Sequence, residues 1–119
     1  MNTTGNESVK MVAVDREMAL SRVGGDAELL KEIAQLFLED YPKVMEEIRS
    51  AASRGDAKDL ERSSHGLKGS VANFGASDAM EAARTLETMG RAEQLVEVQQ
   101  VIRTLELALA ALRPELEAL

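Results

Sequence analysis

The sequence predicts an all-α protein: an antiparallel up-down-up-down four-helix bundle with a short extra N-terminal helix. Three observations lead there. Apolar residues recur at three- and four-residue spacing along most of the chain, and no stretch alternates with the period of two that a half-buried strand needs. Aromatic residues are only 3% of 119 residues, so the core must be built from Leu, Ile, Val, Met and Ala. That mixture favours helices over sheets. Finally, Gly-Gly and Gly-Asp pairs separate the periodic stretches by short connections, which make successive helices antiparallel neighbours.

Residues 1–10 are polar and offer little to bury, so they read as a flexible N-terminal segment. Residues 11–119 read as one domain, long enough to bury a single core. Asp15 is a plausible N-cap for a short helix reaching about Arg22, which Gly24-Gly25 would end. The next helix starts at Asp26. Leu30, Ile33, Phe37, Tyr41, Val44 and Ile48 mark its apolar face, and the pattern runs to about Arg54. Pro42 removes one backbone donor inside it. The periodicity continues in phase through Pro42, which predicts one long kinked helix; the alternative is a break at Tyr41. Gly55-Asp56 closes this helix and caps the next. Leu60, Ser64, Leu67, Val71 and Phe74 follow, up to Gly75. Ser77 and Asp78 begin a shorter helix bearing Ala79, Ala83 and Leu86, with Gly90 as its stop. The last helix reads Leu95, Val98, Ile102, Leu105, Leu109 and Leu112, with Pro114 beyond its end.

Composition excludes several classes of function. The formal net charge is −7, and no basic run exists. Nucleic-acid binding draws much of its affinity from cations on the phosphate backbone, so neither nucleic acid nor an anionic membrane surface is an expected partner. The acidity itself reads as solubility. With no cysteine and one histidine, a metal site is not expected. No apolar run approaches the roughly 18 residues of a membrane span, and the polar N-terminus lacks a signal peptide's apolar core. A cytoplasmic setting is expected.

His65, the sole histidine, is placed by helix geometry. At about 100° per residue, with Leu60 at zero, Leu67, Val71 and Phe74 fall within about 40° of zero and form the buried stripe. His65 falls near about 140°, Glu61 near 100°, Lys68 near 80°, Ala72 near 120° and Gly69 near 180°. The imidazole is therefore expected on the outward flank, with Lys68 and Gly69 beside it. An exposed histidine or lysine on an amphipathic helix is ordinarily just solvated. Here Gly66 and Gly69 each cost the helix up to about 1 kcal/mol relative to alanine. A solvated face gains nothing from that cost, whereas a face that another protein must approach closely does.

The segment Ser64-His65-Gly66-Leu67-Lys68-Gly69-Ser70-Val71-Ala72-Asn73-Phe74-Gly75-Ala76 resembles the signature of histidine-containing phosphotransfer (HPt) domains, the relay modules of multistep two-component signalling. Both the His-x-Leu-Lys-Gly-Ser core and the trailing Asn-x-Gly-Ala are present, and the layout from about Gly24 to Leu112 is similar to that family's. The resemblance implies that His65 accepts a phosphoryl group on Nε2 from a receiver-domain phosphoaspartate and passes it to the aspartate of another receiver. It implies that Lys68 stabilises phosphate charge, that Gly69 clears room for the receiver, and that Ser70 is structural. Some related domains place a carboxylate or amide on the neighbouring helix to orient the histidine. That position is Glu87 here; its other reading is an ordinary surface acid. Arg91, one turn on, would add positive charge, and Glu61, Gly69, Ala72 and Arg91 would form the receiver-facing surface. The implied partners are response-regulator receivers and a hybrid sensor histidine kinase. The chain would bind no cofactor itself, magnesium being supplied by the receiver. With no phosphate-binding Gly-rich loop of the GxxxxGK[ST] type, neither kinase nor ATPase activity is expected. The alternative of another class is a receiver-binding module that sequesters its partner without chemistry. The short polar leader favours a freestanding protein, although an excised domain would look the same.

Overall fold

In the computed structural model, residues 13–119 are described. The expected flexible segment 1–10 lies outside them. Five helices and no strand occur among the described residues: α1 Arg16–Arg22, α2 Ala27–Arg54, α3 Ala57–Ala72, α4 Ser77–Ala92 and α5 Val98–Glu117.

The helix starts follow the sequence closely. Asp15, Asp26 and Asp56 each accept a hydrogen bond from a backbone N–H in the first turn, at Met18, Leu29 and Asp59 respectively. Each satisfies one donor that the helix itself leaves unpaired. α2 runs unbroken through Pro42 and ends at Gly55, whose φ of 69° is left-handed. Its buried line is Leu30, Ala34, Phe37, Met45, Ile48 and Ala51. Ile33 and Val44, expected on that line, are instead partly buried and pack against the core from its edge.

Two helix ends differ from expectation. Gly90 does not stop α4: the helix continues to Ala92, and Glu93 takes the left-handed closing position at φ 57°. Pro114 does not lie beyond α5. The helix continues through it to Glu117, and Leu116 extends the buried series of Ile102, Leu105, Leu109 and Leu112. Proline costs that turn one backbone hydrogen bond. Burial of Leu116 favours the helical turn, and so do two bonds from the neighbouring side chain: the Glu115 carboxylate accepts from the N–H groups of Ala13 and Val14, both at 2.7 Å. The start of α5 also differs, at Val98 rather than Leu95.

α3 packs on α2 and α4, and α5 packs on α4 and α2, so the four long helices close a ring of contacts. α1 is anchored at one end of this ring. The Asp15 N–H donates to the Phe74 carbonyl at 2.9 Å, and Arg22 reaches the Asn73 side chain at 3.3 Å. Gly75, at φ +60°, makes room for that contact, since a Cβ there would stand 2.5 Å from the Asp15 Cβ. The Asn73-Phe74-Gly75-Ala76 segment thus joins α3 to α4 and seats α1. Phe74 fills the core at that level, edge-on to Phe37 with ring centroids 5.5 Å apart. No helix of the described residues is long and apolar enough to cross a membrane.

Candidate functional site

α3 divides its residues as helical periodicity requires. Ser64 and Leu67 are buried, while the His65 side chain between them is 69% exposed. His65 does not face solvent unaided. Its Nδ1 lies 2.7 Å from Oε2 of Glu87 on α4.

Glu87 is the organising group of the site, and it is buried, with its side chain only 5% exposed. Its position follows from α4's pattern: Ala83, Leu86, Glu87 and Gly90 are all buried, at helix spacings of three and four. This burial removes the surface-acid reading. A buried carboxylate must be paired. Here Lys68 Nζ lies 2.7 Å from Oε1, and Arg91 Nη2 lies 3.1 Å from Oε2, the oxygen that also faces His65. The Lys68 hydrogen bond holds the Glu87 carboxyl below its ordinary range; burial opposes this, and the His65 bond adds to it. The carboxylate is therefore ionised and can only accept. It follows that Nδ1 of His65 carries the hydrogen of this contact, which leaves Nε2 as the ring nitrogen not engaged by Glu87.

The other expected residues fall around this centre. Arg91 is exposed and held from its far side by Glu61, with Nε 3.0 Å from Oε2. The Glu61 bond, with Glu87 behind it, raises the guanidinium above its usual range. Gly69 is exposed, and a Cβ built on it meets nothing within 4 Å. Ala72 is half-buried on the same helix. Ser70 donates to the Gly66 carbonyl at 3.2 Å, a bond to its own helix. Lys68 is half-buried, and its ammonium is paired with Glu87.

The arrangement suits one kind of chemistry. An oriented neutral imidazole is a nucleophile that needs no strong base. Two cations, Lys68 and Arg91, lie within a hydrogen bond of the carboxylate that faces it. No group of His, Cys, Asp and Glu capable of holding a metal ion occurs among the described residues. A hollow of about 670 Å³ lined by Ala13, Val14, Gly75, Ala76, Ala79 and Ala108 contains none of the site residues.

A chain whose described residues form only helices, presenting its single imidazole on a helix face against a buried carboxylate, is by fold and site of the helical phosphotransfer class. The chain belongs to the Hpt domain family, whose description matches residues 32–115, and it is a histidine-containing phosphotransfer intermediate of phosphorelays. Among solved structures, it is similar in fold to histidine-containing phosphotransfer protein B (HptB) from Pseudomonas aeruginosa PAO1. The TM-score is 0.82 at 22% sequence identity, over 89% of this chain and 92% of that one. No curated protein matches the chain.

Proposed function

We propose that His65 is the phosphoacceptor, taking the phosphoryl group from a receiver-domain phosphoaspartate and delivering it to the aspartate of a second receiver. In the forward step, the Nε2 lone pair attacks phosphorus. An N–P bond forms, the aspartyl O–P bond breaks, and the aspartate leaves as a carboxylate. The ring gains positive charge as the N–P bond forms, and the Glu87 carboxylate on Nδ1 offsets it. Lys68 and Arg91 stabilise the phosphoryl oxygens, while Gly69 and Ala72, with Glu61, give the receiver a close approach. Magnesium belongs to the receiver, and this chain holds no cofactor. The partners are receivers and a hybrid sensor histidine kinase, as the family resemblance implies, and the setting is the cytoplasm, a reading that rests on the lack of cysteine and of a signal peptide's apolar core in the sequence. The four long helices are arranged up-down-up-down and antiparallel, with α1 across one end. The ring of helix contacts and the short connections support this.

The observation that carries the reading is the 2.7 Å contact between His65 Nδ1 and buried Glu87. It supports the reading because a hydrogen held on Nδ1 leaves the attacking lone pair on Nε2. Incubation with a radiolabelled phosphorylated receiver tests it. Label should appear on this chain, be acid-labile as phosphohistidine is, and move on to a second receiver. A chain that binds the receiver but takes no label would instead be a sequestering module.

A further inference from the structure

Gly90 lies on the buried face of α4, three residues after Glu87. A Cβ at this position would meet the Ala57 carbonyl oxygen at 2.7 Å, the Glu61 backbone nitrogen at 2.8 Å and the Glu61 Cα at 3.0 Å. All three are backbone atoms of α3, so no side chain can swing aside to relieve the contact. Gly90 has no unusual backbone conformation to explain it, since its φ is not among the positive ones. Glycine is needed here for the approach of two helices, not for a turn.

We infer that Gly90 is a positioning residue: it sets the α3–α4 spacing that brings Glu87 within hydrogen-bonding distance of His65. The inference rests on the reading of His65 as phosphoacceptor. The seam formed by Gly90 against Ala57–Glu61 and the Glu87–His65 contact lie one helical turn apart along the same helix pair. To regain ordinary contact of about 3.4 Å at the seam, α4 must retreat by about 0.7 Å. A shift of that size would stretch the 2.7 Å contact at His65 toward the limit of a hydrogen bond. Lys68 and Arg91 reach Glu87 on long flexible side chains and can follow the carboxylate as it moves. His65 has a short, rigid side chain and cannot. The damage should therefore fall on the orientation of the nucleophile.

The test is Gly90→Ala, read first by nitrogen NMR of the single imidazole. Wild type should show the neutral tautomer protonated at Nδ1, and Gly90→Ala should shift the population toward the tautomer protonated at Nε2. Single-turnover transfer from a phosphorylated receiver should slow about tenfold, as small displacements of a reacting group do. In a Glu87→Ala background, Gly90→Ala should cause little further slowing, because the residue through which it acts is gone. Leu116→Ala, a buried truncation in α5, serves as a control for lost stability and should leave the tautomer unchanged. If Gly90→Ala does not fold alone, the tautomer is measured in sucrose, which favours the compact state. An unchanged tautomer in folded Gly90→Ala overturns the inference, as do full additivity with Glu87→Ala or a chain that stays unfolded in sucrose. If wild type transfers no phosphate, the relay reading fails while the tautomer result still decides the role of Gly90.

Discussion

Oε2 of Glu87 on α4 and Nδ1 of His65 on α3 stand 2.7 Å apart across the helix pair, joining a buried carboxylate to an exposed imidazole. The contact places the ring's hydrogen on the inner nitrogen and its nucleophilic lone pair outside. The same carboxylate gives the site a response to acid. The Glu87 carboxyl is held below its ordinary value, first by Lys68 and then, against burial, by His65. A carboxylate with a depressed folded pKa contributes stability that is present above its unfolded value of about 4.3 and lost as pH falls through the folded value. Wild type should therefore be more stable than Glu87→Ala at neutral pH. The gap between them should narrow as acid denaturation is followed below about pH 4.3. A constant gap across that range would mean that the carboxylate's charge does not support the fold.

His65→Ala should abolish phosphate acceptance and leave the helices intact. The side chain is 69% exposed, and Glu87 keeps Lys68 and Arg91 as partners when it is removed. The stability change should lie within about 0.5 kcal/mol. Circular dichroism melting together with receiver labelling checks both parts, and labelling retained in this variant would point to another acceptor.

Lys68→Ala has two consequences that can be separated. Lys68 Nζ lies 2.7 Å from Glu87 Oε1, so its removal leaves one oxygen of a buried carboxylate without its cation. The Glu87 carboxyl, titrated by carbon NMR, should rise toward its ordinary value. Transfer should slow at the chemical step, because the lysine acts on charge that grows at the phosphoryl group, while receiver affinity should change little. An unchanged single-turnover rate would leave Lys68 as a structural partner of Glu87 alone.

Much of this site was legible in the sequence because α3 is a regular helix. Periodicity about Leu60, Leu67 and Val71 was enough to put His65 outside and Ser64 inside, as they are. What escaped depends on how two helices meet. Gly90 looks like a stop signal in one dimension, and only the approach of α3 shows it to be a contact. Lys68 looks like a solvated cation until Glu87 is brought beside it from the next helix. On α2, the large residues Ile33 and Val44 looked like core, yet Ala34 and Met45 occupy it, because side-chain size does not say which edge of an apolar stripe a neighbour covers. Pro114 looked like an end because the long-range bonds of Glu115 to Ala13 and Val14 have no local signal.

Gly69→Gln should stabilise the protein and impair its function. A Cβ at Gly69 meets nothing within 4 Å, so the substitution costs no packing and removes a glycine from a helix interior, a gain of about 0.5 kcal/mol. The new side chain would project beside His65 into the space a receiver must enter. Higher thermal stability combined with weaker receiver binding and slower transfer is the expected pair of results. Full transfer activity would show that the receiver approaches from elsewhere.

Ser64→Ala tests the buried side of the same helix. Ser64 is fully buried, and its hydroxyl is the buried side-chain polar atom left without a hydrogen-bond partner among the described residues. An unpaired buried hydroxyl forgoes its bonds to water and receives nothing in return. Alanine keeps nearly the same volume, removes that penalty and has the higher helix propensity. The variant should be more stable by about 1 kcal/mol, read as a higher urea midpoint at constant slope. His65, about 100° further round the helix and bonded to Glu87 rather than to Ser64, should keep its Nδ1-protonated tautomer, so transfer should stay near the wild-type rate. A lower midpoint would show that the hydroxyl is paired in solution, and the i−4 carbonyl of Leu60 would then be the first partner to examine.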